Sequence, residues 1–152
     1  RCLNGTIEGY VKSPIRGKYR ADIVTMMWTL ENATSCKDVL MGARVVLKEG
    51  GYLVIATGSR ILAPFSKPLS LYLSANPVDA HPSRFSLNTL MSFLAMAGFE
   101  TMHVNPYLND GIALCVIGKK VKPNKKARIK ADDYRKVRDF FKRWHRETQF
   151  YL

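Results

Sequence analysis

Four groups of side chains in this 152-residue sequence could take part in chemistry. His81 lies in a proline-rich stretch, and a neutral imidazole could take a proton from a hydroxyl group or a carbon acid. Arg84, three residues later, could bind an anionic group of a ligand. The run Met26-Met27-Trp28 ends with an aromatic ring, and an electron-rich ring face beside a cation is favourable. Glu8 offers a carboxylate that could accept from an amino group.

Each of these groups also has an ordinary structural interpretation. An isolated loop histidine such as His81 is usually a hydrogen-bonding surface residue, Arg84 is more often an ordinary surface arginine, and Glu8 could equally be a solvated loop glutamate. Apolar residues at a strand end pack in the core more often than they border a ligand, and this applies more to Met27 than to Trp28. Because the three histidines and three cysteines are dispersed, the sequence supports no metal site.

The elements that must position these residues are clearest between Ala21 and Gly51. Ala21 to Met26 is almost wholly apolar, which predicts a strand covered by helices on both sides and lying inside the sheet. Ser35 is a good helix cap, and the helix it begins ends at a pair of glycines. The apolar run 52–57 predicts a second strand, so the helix makes a right-handed crossover between parallel strands.

Later segments continue the alternation of helices and strands. Residues 58–85 contain four prolines among apolar clusters, and a connection of this length often acts as a lid. Ser86 begins a second amphipathic helix, which Gly98 ends. The strands Thr101 to Asn105 and Ile112 to Ile117 flank a turn, which predicts a hairpin and an antiparallel final strand.

Two short segments precede the first strand. Asn4 to Glu8 is rich in residues that bend or cap, so it predicts a turn, and Tyr10 to Arg20 reads as a basic loop. In open α/β sheets a ligand sits beyond the carboxyl ends of the strands. We therefore expect the turn at Gly5 to Glu8 and the strand ends after Met26 and Thr57 to border one crevice.

The formal charge of +12 is concentrated near the end of the sequence. Lys119 to Leu152 holds 13 Lys and Arg against 4 Asp and Glu, a net of +9. Within it, 121–152 reads as a basic linker and a terminal helix with one apolar stripe from Tyr134 to Trp144. Such a segment attracts polyanions through fields that salt weakens, so we expect weak polyanion binding.

Length and composition suit one domain, 1–120, followed by the basic segment 121–152. The dispersed cysteines fit a reducing compartment, which predicts a cytoplasmic protein. No apolar run reaches the roughly 18 residues that would suggest a membrane span.

The order of these features resembles the second half of class I S-adenosylmethionine-dependent methyltransferases, over roughly Asn4 to Lys120. The resemblance is carried by Leu30-Glu31 after the first strand, by Leu47-Lys-Glu-Gly-Gly-Tyr-Leu53, by His81-Pro-Ser-Arg-Phe-Ser86 and by Ala97-Gly-Phe-Glu100. It looks most like the small-molecule group that contains C- and O-methyltransferases of quinones and sugars. It implies a partial Rossmann-like α/β fold with a mostly parallel sheet and an antiparallel final hairpin, to which the apolar stripe from Tyr134 to Trp144 adds a C-terminal amphipathic helix.

The resemblance also implies roles for individual residues. S-adenosylmethionine is the implied cofactor, with the adenine near the first turn and the methionine part near the end of the first strand. The implied cofactor-binding residues are Thr6, Ile7, Glu8, Met26, Met27 and Trp28. His81 stands where relatives bring a histidine towards the substrate, and Arg84 would bind an anionic substrate group.

The sequence departs from this family pattern at two places. It has no glycine-rich first loop, and Asn32 stands where the family often has histidine, so no catalytic role is implied there. Because the family core is larger and residue 1 is Arg, we expect a fragment that lacks the N-terminal half. A sheet short of strands exposes an apolar edge, which makes a homo-oligomer the other expectation.

The implied function is the transfer of a methyl group from S-adenosylmethionine to a small-molecule acceptor. The alternative is a non-catalytic module, either methyltransferase-like or a basic protein that binds polyanions.

Overall fold

The computed structural model of this chain describes residues 4–14, 16–58, 68–72, 81–105, 113–124 and 126–150. In chain order, the helices and strands within these ranges are α1 (Ile7–Lys12), β1 (Ala21–Met27), α2 (Cys36–Val46), β2 (Leu47–Gly58), α3 (Leu69–Tyr72), α4 (Leu87–Met96), β3 (Phe99–Val104), β4 (Ala113–Lys120) and α5 (Tyr134–Thr148). A short 3-10 helix, Leu30–Asn32, lies between β1 and α2.

The four strands form one sheet in the order β1-β2-β4-β3. β1 and β2 are parallel, with Met26 beside Ile55, and α2 makes the crossover between them. β4 is antiparallel to both of its neighbours, β2 and β3. The predicted α/β fold with its parallel start and antiparallel final strand is confirmed. The final strand β4 lies inside the sheet, and β3 forms that edge.

The core lies between one face of the sheet and the helices α2 and α4. The side chains of Leu40 on α2, Leu53 and Ile55 on β2 and Leu90 on α4 are fully buried in it. Both helices begin at predicted caps, because the side chains of the serines before them accept hydrogen bonds from backbone amides. Burial of a few such side chains dominates the stability of a domain of this size.

The first described helix, α1, corrects the predicted turn and basic loop. Thr6 caps this helix by accepting a hydrogen bond from the amide of Gly9 over 3.1 Å. Ile7 and Val11 face α2 at Gly42, where a Cβ atom would overlap the Cγ1 atom of Ile7. The absence of a side chain at Gly42 therefore lets α1 approach α2 closely.

The strand β1 is the edge strand of the described sheet, which corrects the prediction that it lies inside. Ile23 is 59% exposed and Met27 is 47% exposed. The side chains of their neighbours on the same face are exposed or half-buried, namely Tyr52, Val54, Ala56, Cys115 and Ile117. Among the described elements, α2 and α4 cover only the opposite face, whereas sheets with parallel strands are usually covered on both.

The basic segment after β4 follows α4 back along the domain. The amide of Val121 donates to the carbonyl of Gly98 over 2.9 Å, and the amide of Lys130 donates to Oγ of Ser92 over 3.0 Å. The predicted C-terminal amphipathic helix is confirmed as α5, which packs against α3 and buries Trp144 completely. The division into 1–120 and 121–152 stays a prediction.

Within the described ranges, none of the helices combines the length and the apolar character needed to cross a membrane.

Candidate functional site

The carboxyl ends of β1 and β2 meet at one edge of the sheet because the two strands are parallel. Beyond β1, the amide of Trp28 donates to the carbonyl of Ala56 over 2.7 Å, so the pairing extends one residue past the strand. Ligands of open α/β sheets sit beyond this type of edge. We call it the carboxyl edge.

Trp28 adopts an unusual backbone conformation at this edge. Its φ angle is +53°, in the left-handed region that bulky side chains rarely occupy. The turn is held by Nδ2 of Asn32, which donates to the Trp28 carbonyl over 3.2 Å, and by Oγ1 of Thr29, which donates to the Met27 carbonyl over 2.9 Å. The indole remains 50% exposed. Such strain concentrates at functional sites.

Asn32, which departs from the family pattern, thus has a structural role in this turn. Its side-chain amide holds the carbonyl of the strained residue Trp28.

Glu31 is a polar residue at this edge that was not among the predicted site residues. Its side chain is 1% exposed, and its Oε2 atom accepts from Oγ1 of Thr57 over 2.5 Å. Thr57 is itself fully buried near the end of β2. The Oε1 atom of Glu31 is buried and has no hydrogen-bond partner among the described residues. Burial of an incompletely paired carboxylate is costly, so such a group calls for an explanation.

The sequence carried one signal for this residue. Glu31 directly follows Leu30 after an apolar strand, and the resemblance included that pair, but nothing local indicated that the carboxylate would be buried against Thr57.

The segment 81–86 is fastened to the same edge. The amide of Ser83 donates to the backbone carbonyl of Glu31 over 3.1 Å. The thiol of Cys36 lies 3.4 Å from the carbonyl oxygen of Leu30 and 3.4 Å from Oγ of Ser83. These contacts join the turn after β1 to the segment that precedes α4.

Two predicted site residues, His81 and Arg84, lie within two residues of Ser83, and both are half-buried. Phe85 anchors the segment, because its buried ring packs edge-to-face against Phe93 of α4 with the ring centroids 6.1 Å apart. The structure therefore brings the segment of His81 and Arg84 to the carboxyl edge that carries Trp28.

The other predicted cofactor-binding segment, Thr6 to Glu8, does not lie at the carboxyl edge. Asn4 to Ile7 line a pocket with Tyr10, Tyr19 and Val46. Tyr19 comes just before β1 and Val46 just before β2, so this pocket is at the amino ends of the parallel strands. Seven residues of strand, about 20 Å, separate the two ends of β1.

The expectation that this segment and Met26 to Trp28 border one crevice is therefore not met. The cause is the packing of Ile7 and Val11 against Gly42, which fixes α1 on α2. The cofactor-binding roles of Thr6, Ile7 and Glu8 stay predictions.

The buried ammonium group at the amino ends of the strands, that of Lys120, has partners, in contrast to Oε1 of Glu31. Nζ of the buried Lys120 donates to the carbonyl of Leu47 over 2.7 Å and lies 2.9 Å from Oε1 of Glu49. The hydrogen bond from Lys120 is the main reason that the pKa of Glu49 lies below its ordinary value. In the part of the chain that the structure describes, no cluster of three or more His, Cys, Asp or Glu side chains could hold a metal ion.

Comparison with known proteins identifies the fold. No protein-family model and no curated protein matches the sequence. A SAM-dependent methyltransferase from Thermotoga maritima, described as a possible histamine N-methyltransferase, is 22% identical with a TM-score of 0.53 and aligns with 78% of this chain. A protein from Listeria monocytogenes described as an S-adenosylmethionine-dependent methyltransferase is 15% identical with a TM-score of 0.55 over 79% of the chain.

An O-methyltransferase family protein from Burkholderia thailandensis is 18% identical with a TM-score of 0.50 over 78% of the chain. The chain spans 63%, 68% and 34% of the lengths of the Thermotoga, Listeria and Burkholderia proteins, respectively. At these identities the likeness establishes a methyltransferase-like, Rossmann-like fold.

The pairing of Glu31 with Thr57 predicts a non-additive effect on stability. Among the described residues, Thr57 supplies the one hydrogen bond to the side chain of Glu31, so Thr57→Val should lower the free energy of unfolding by roughly 2 kcal/mol. Adding Glu31→Leu removes the buried carboxylate and should restore most of that loss. Urea denaturation followed by circular dichroism measures both values. A double variant less stable than Thr57→Val alone would contradict this account.

Proposed function

We propose that this chain forms part of a methyltransferase that moves a methyl group from S-adenosylmethionine to a small-molecule acceptor at the carboxyl edge. One observation carries the proposal. The fold is similar to that of S-adenosylmethionine-dependent methyltransferases, and in such folds ligands sit at the carboxyl edge. At this edge Trp28 is half-exposed and has a strained backbone. The turn that follows Trp28 contains the buried Glu31, whose carboxylate is incompletely paired.

The side chains at the carboxyl edge fit the charged end of the cofactor. The cofactor supplies an activated methyl group on a positively charged sulfur. The exposed indole of Trp28 and the thioether of Met27 are polarizable groups that favour an adjacent cation. Met26 is only 6% exposed, so its contribution would come from its backbone. The Oε1 atom of Glu31 is a free acceptor close to this turn.

In this proposal, His81 and Arg84 serve the acceptor side. Methyl transfer requires alignment of the reacting atoms and removal of one proton. His81, on the segment held at Glu31, would take that proton from the acceptor hydroxyl or carbon acid. Arg84 would bind an anionic group of the acceptor.

Further strands and helices would complete the site. The face of the sheet that carries Ile23 and Met27 is largely exposed, and the structural neighbours contain chain beyond the aligned part. We propose that the N-terminal half of a longer chain covers this face, so that the described domain is the second half of a methyltransferase. The cytoplasmic location and the small-molecule C- or O-methyltransferase group belong to the same proposal.

The alternative is a methyltransferase-like module that does not transfer methyl groups. Cofactor binding distinguishes the two proposals. The enzyme must bind the cofactor, whereas a module that transfers no methyl group does not need a site for the sulfonium group.

Calorimetric titration with S-adenosylhomocysteine tests the proposed function. A form of the protein extended upstream should bind it, and the 152-residue chain alone should bind it more weakly because part of the site is absent. Trp28→Gly should weaken binding by the extended form roughly tenfold through loss of the indole. Glycine suits a φ angle of +53°, so the turn itself is retained.

Tyr134→Ala is the matched control, because it removes an exposed aromatic ring from α5. It should leave the affinity for S-adenosylhomocysteine unchanged. Binding by neither form of the protein would favour the non-catalytic module.

A second prediction concerns His81. In the form that binds the cofactor, His81→Gln should lower kcat about 100-fold while the dissociation constant for S-adenosylhomocysteine stays the same. The release of S-adenosylhomocysteine with a quinol or a free sugar as acceptor measures the rate. His103→Gln, on the exposed part of β3, is the control and should have the wild-type rate. Equal losses in both variants would exclude His81 as the base.

A third prediction concerns the exposed face of the sheet. The 152-residue chain alone should self-associate at micromolar concentrations, because an uncovered apolar sheet face and edge favour pairing. Ile23→Lys should shift the association to at least tenfold higher concentration, as measured by sedimentation velocity. Met102→Lys, 53% exposed on the opposite edge strand, should have little effect. A monomeric 152-residue chain without substitutions would contradict this prediction, because the exposed face of the sheet would then be stable in water.

A further inference from the structure

The helix α5 carries a strongly basic exposed side. Its basic residues are Arg135, Lys136, Arg138, Lys142, Arg143 and Arg146, and all six are exposed. With 3.6 residues per turn, they fall within an arc of about 160° around the helix axis and extend over about 17 Å. We call this arc the basic face.

The opposite side of α5 is occupied by the protein itself. Trp144 is fully buried and Thr148 is 1% exposed. The rings of Phe140 and Phe141 are half-buried and lie 6.2 and 6.4 Å from that of Trp144. A membrane-surface helix inserts its apolar side into the lipid bilayer. For α5 this would require the helix to leave the domain, so we do not expect it to bind membranes in this way.

Internal ion pairs neutralise only part of the basic face. Arg138 pairs with Asp139, and Arg143 pairs with Glu147, each at 2.8 Å. Hydrogen bonds to these carboxylates raise the pKa values of both arginines. The other four basic residues form no ion pair with any residue in the described ranges.

The linker before α5 adds further positive charge. Lys122, Lys126, Arg128 and Lys130 are exposed along the segment that follows α4. The bonds of Lys130 to Ser92 and of Asn88 to Asp132 hold this segment against α4 at the point where it leads into α5. The linker therefore has a fixed course along α4 up to the residues that lead into α5.

We propose that the basic face of α5, together with the linker, binds the phosphate backbone of double-stranded DNA. The inference goes beyond methyl transfer and does not depend on it. A helix is about 10–12 Å wide and the major groove of B-form DNA about 12 Å. Arg138 and Lys136 lie at the two borders of the basic face, where they reach opposite strands. Arginine also matches phosphate oxygens with paired hydrogen bonds.

The aromatic residues of α5 favour a duplex over a single strand. Single-stranded nucleic acid binds largely by stacking of bases on exposed rings. Phe140, Phe141 and Trp144 lie on the buried side, so Tyr134 is the one Phe, Tyr or Trp ring of α5 that is exposed, with the guanidinium of Arg138 5.6 Å from its centroid. The charge density of a duplex is also twice that of one of its strands.

Fluorescence anisotropy with a labelled 20-base-pair DNA duplex tests the proposal on the intact 152-residue chain. We expect a dissociation constant of about 1–100 μM at physiological salt, as for sequence-independent binding. With four phosphates contacted, the logarithm of the affinity should fall with that of the salt concentration at a slope of about −3.6. The variant Lys136→Gln/Lys142→Gln should bind at least tenfold more weakly in 50 mM salt, with a slope smaller by about 2.

The matched control is Lys12→Gln/Lys37→Gln, which removes the same charge from exposed sites on α1 and α2. It should retain nearly wild-type affinity, and circular dichroism should show that both variants are folded. Equal weakening by the two variants would overturn the proposal, because net charge alone would then explain binding. Tighter binding to single-stranded DNA, to an RNA duplex or to phosphatidylserine vesicles would also overturn it. Each outcome is independent of S-adenosylhomocysteine binding.

Discussion

The hydrogen bond between Glu31 and Thr57 connects the parts of the molecule on which the rest of the site depends. Glu31 lies in the turn that leaves β1, and Thr57 lies near the end of β2, so the bond joins the ends of the two parallel strands. The backbone of Glu31 also holds Ser83 and with it the segment of His81 and Arg84. A buried carboxylate with one unpaired oxygen is a costly way to make such a connection. The proposed site at the carboxyl edge would give this oxygen atom a role as a hydrogen-bond acceptor.

The polar groups at the two ends of the parallel strands differ in how completely they are hydrogen-bonded. At the amino ends, the ammonium of Lys120 donates to a backbone carbonyl and lies beside an exposed carboxylate. At the carboxyl ends, Trp28 is held in a left-handed conformation and Glu31 lacks a partner for one oxygen. Backbone strain clusters at functional sites, and ligands of open α/β sheets sit at the carboxyl ends of the strands, so both general rules point to the same edge.

Sequence patterns predicted those elements that local periodicity and caps determine. The helices α2 and α4 with their serine caps, the parallel crossover and the antiparallel final strand all have such signals and were confirmed. The position of β1 at the edge and the exposure of one of its faces could not be predicted. An apolar strand has the same sequence pattern whether or not a further strand lies beside it and a second helical layer covers it. The placement of α1 depends on the close approach at Gly42, a tertiary contact without a local signal. The burial of Glu31 likewise depends on Thr57, 26 residues away.

The two tryptophans of the chain occupy opposite environments. The indole of Trp28 is half in solvent at the strand ends, whereas that of Trp144 is enclosed under α5. Their fluorescence must therefore differ in colour and in accessibility to quenchers. The protein thus contains two built-in optical probes, one that senses events at the carboxyl edge and one that senses whether the C-terminal helix is docked.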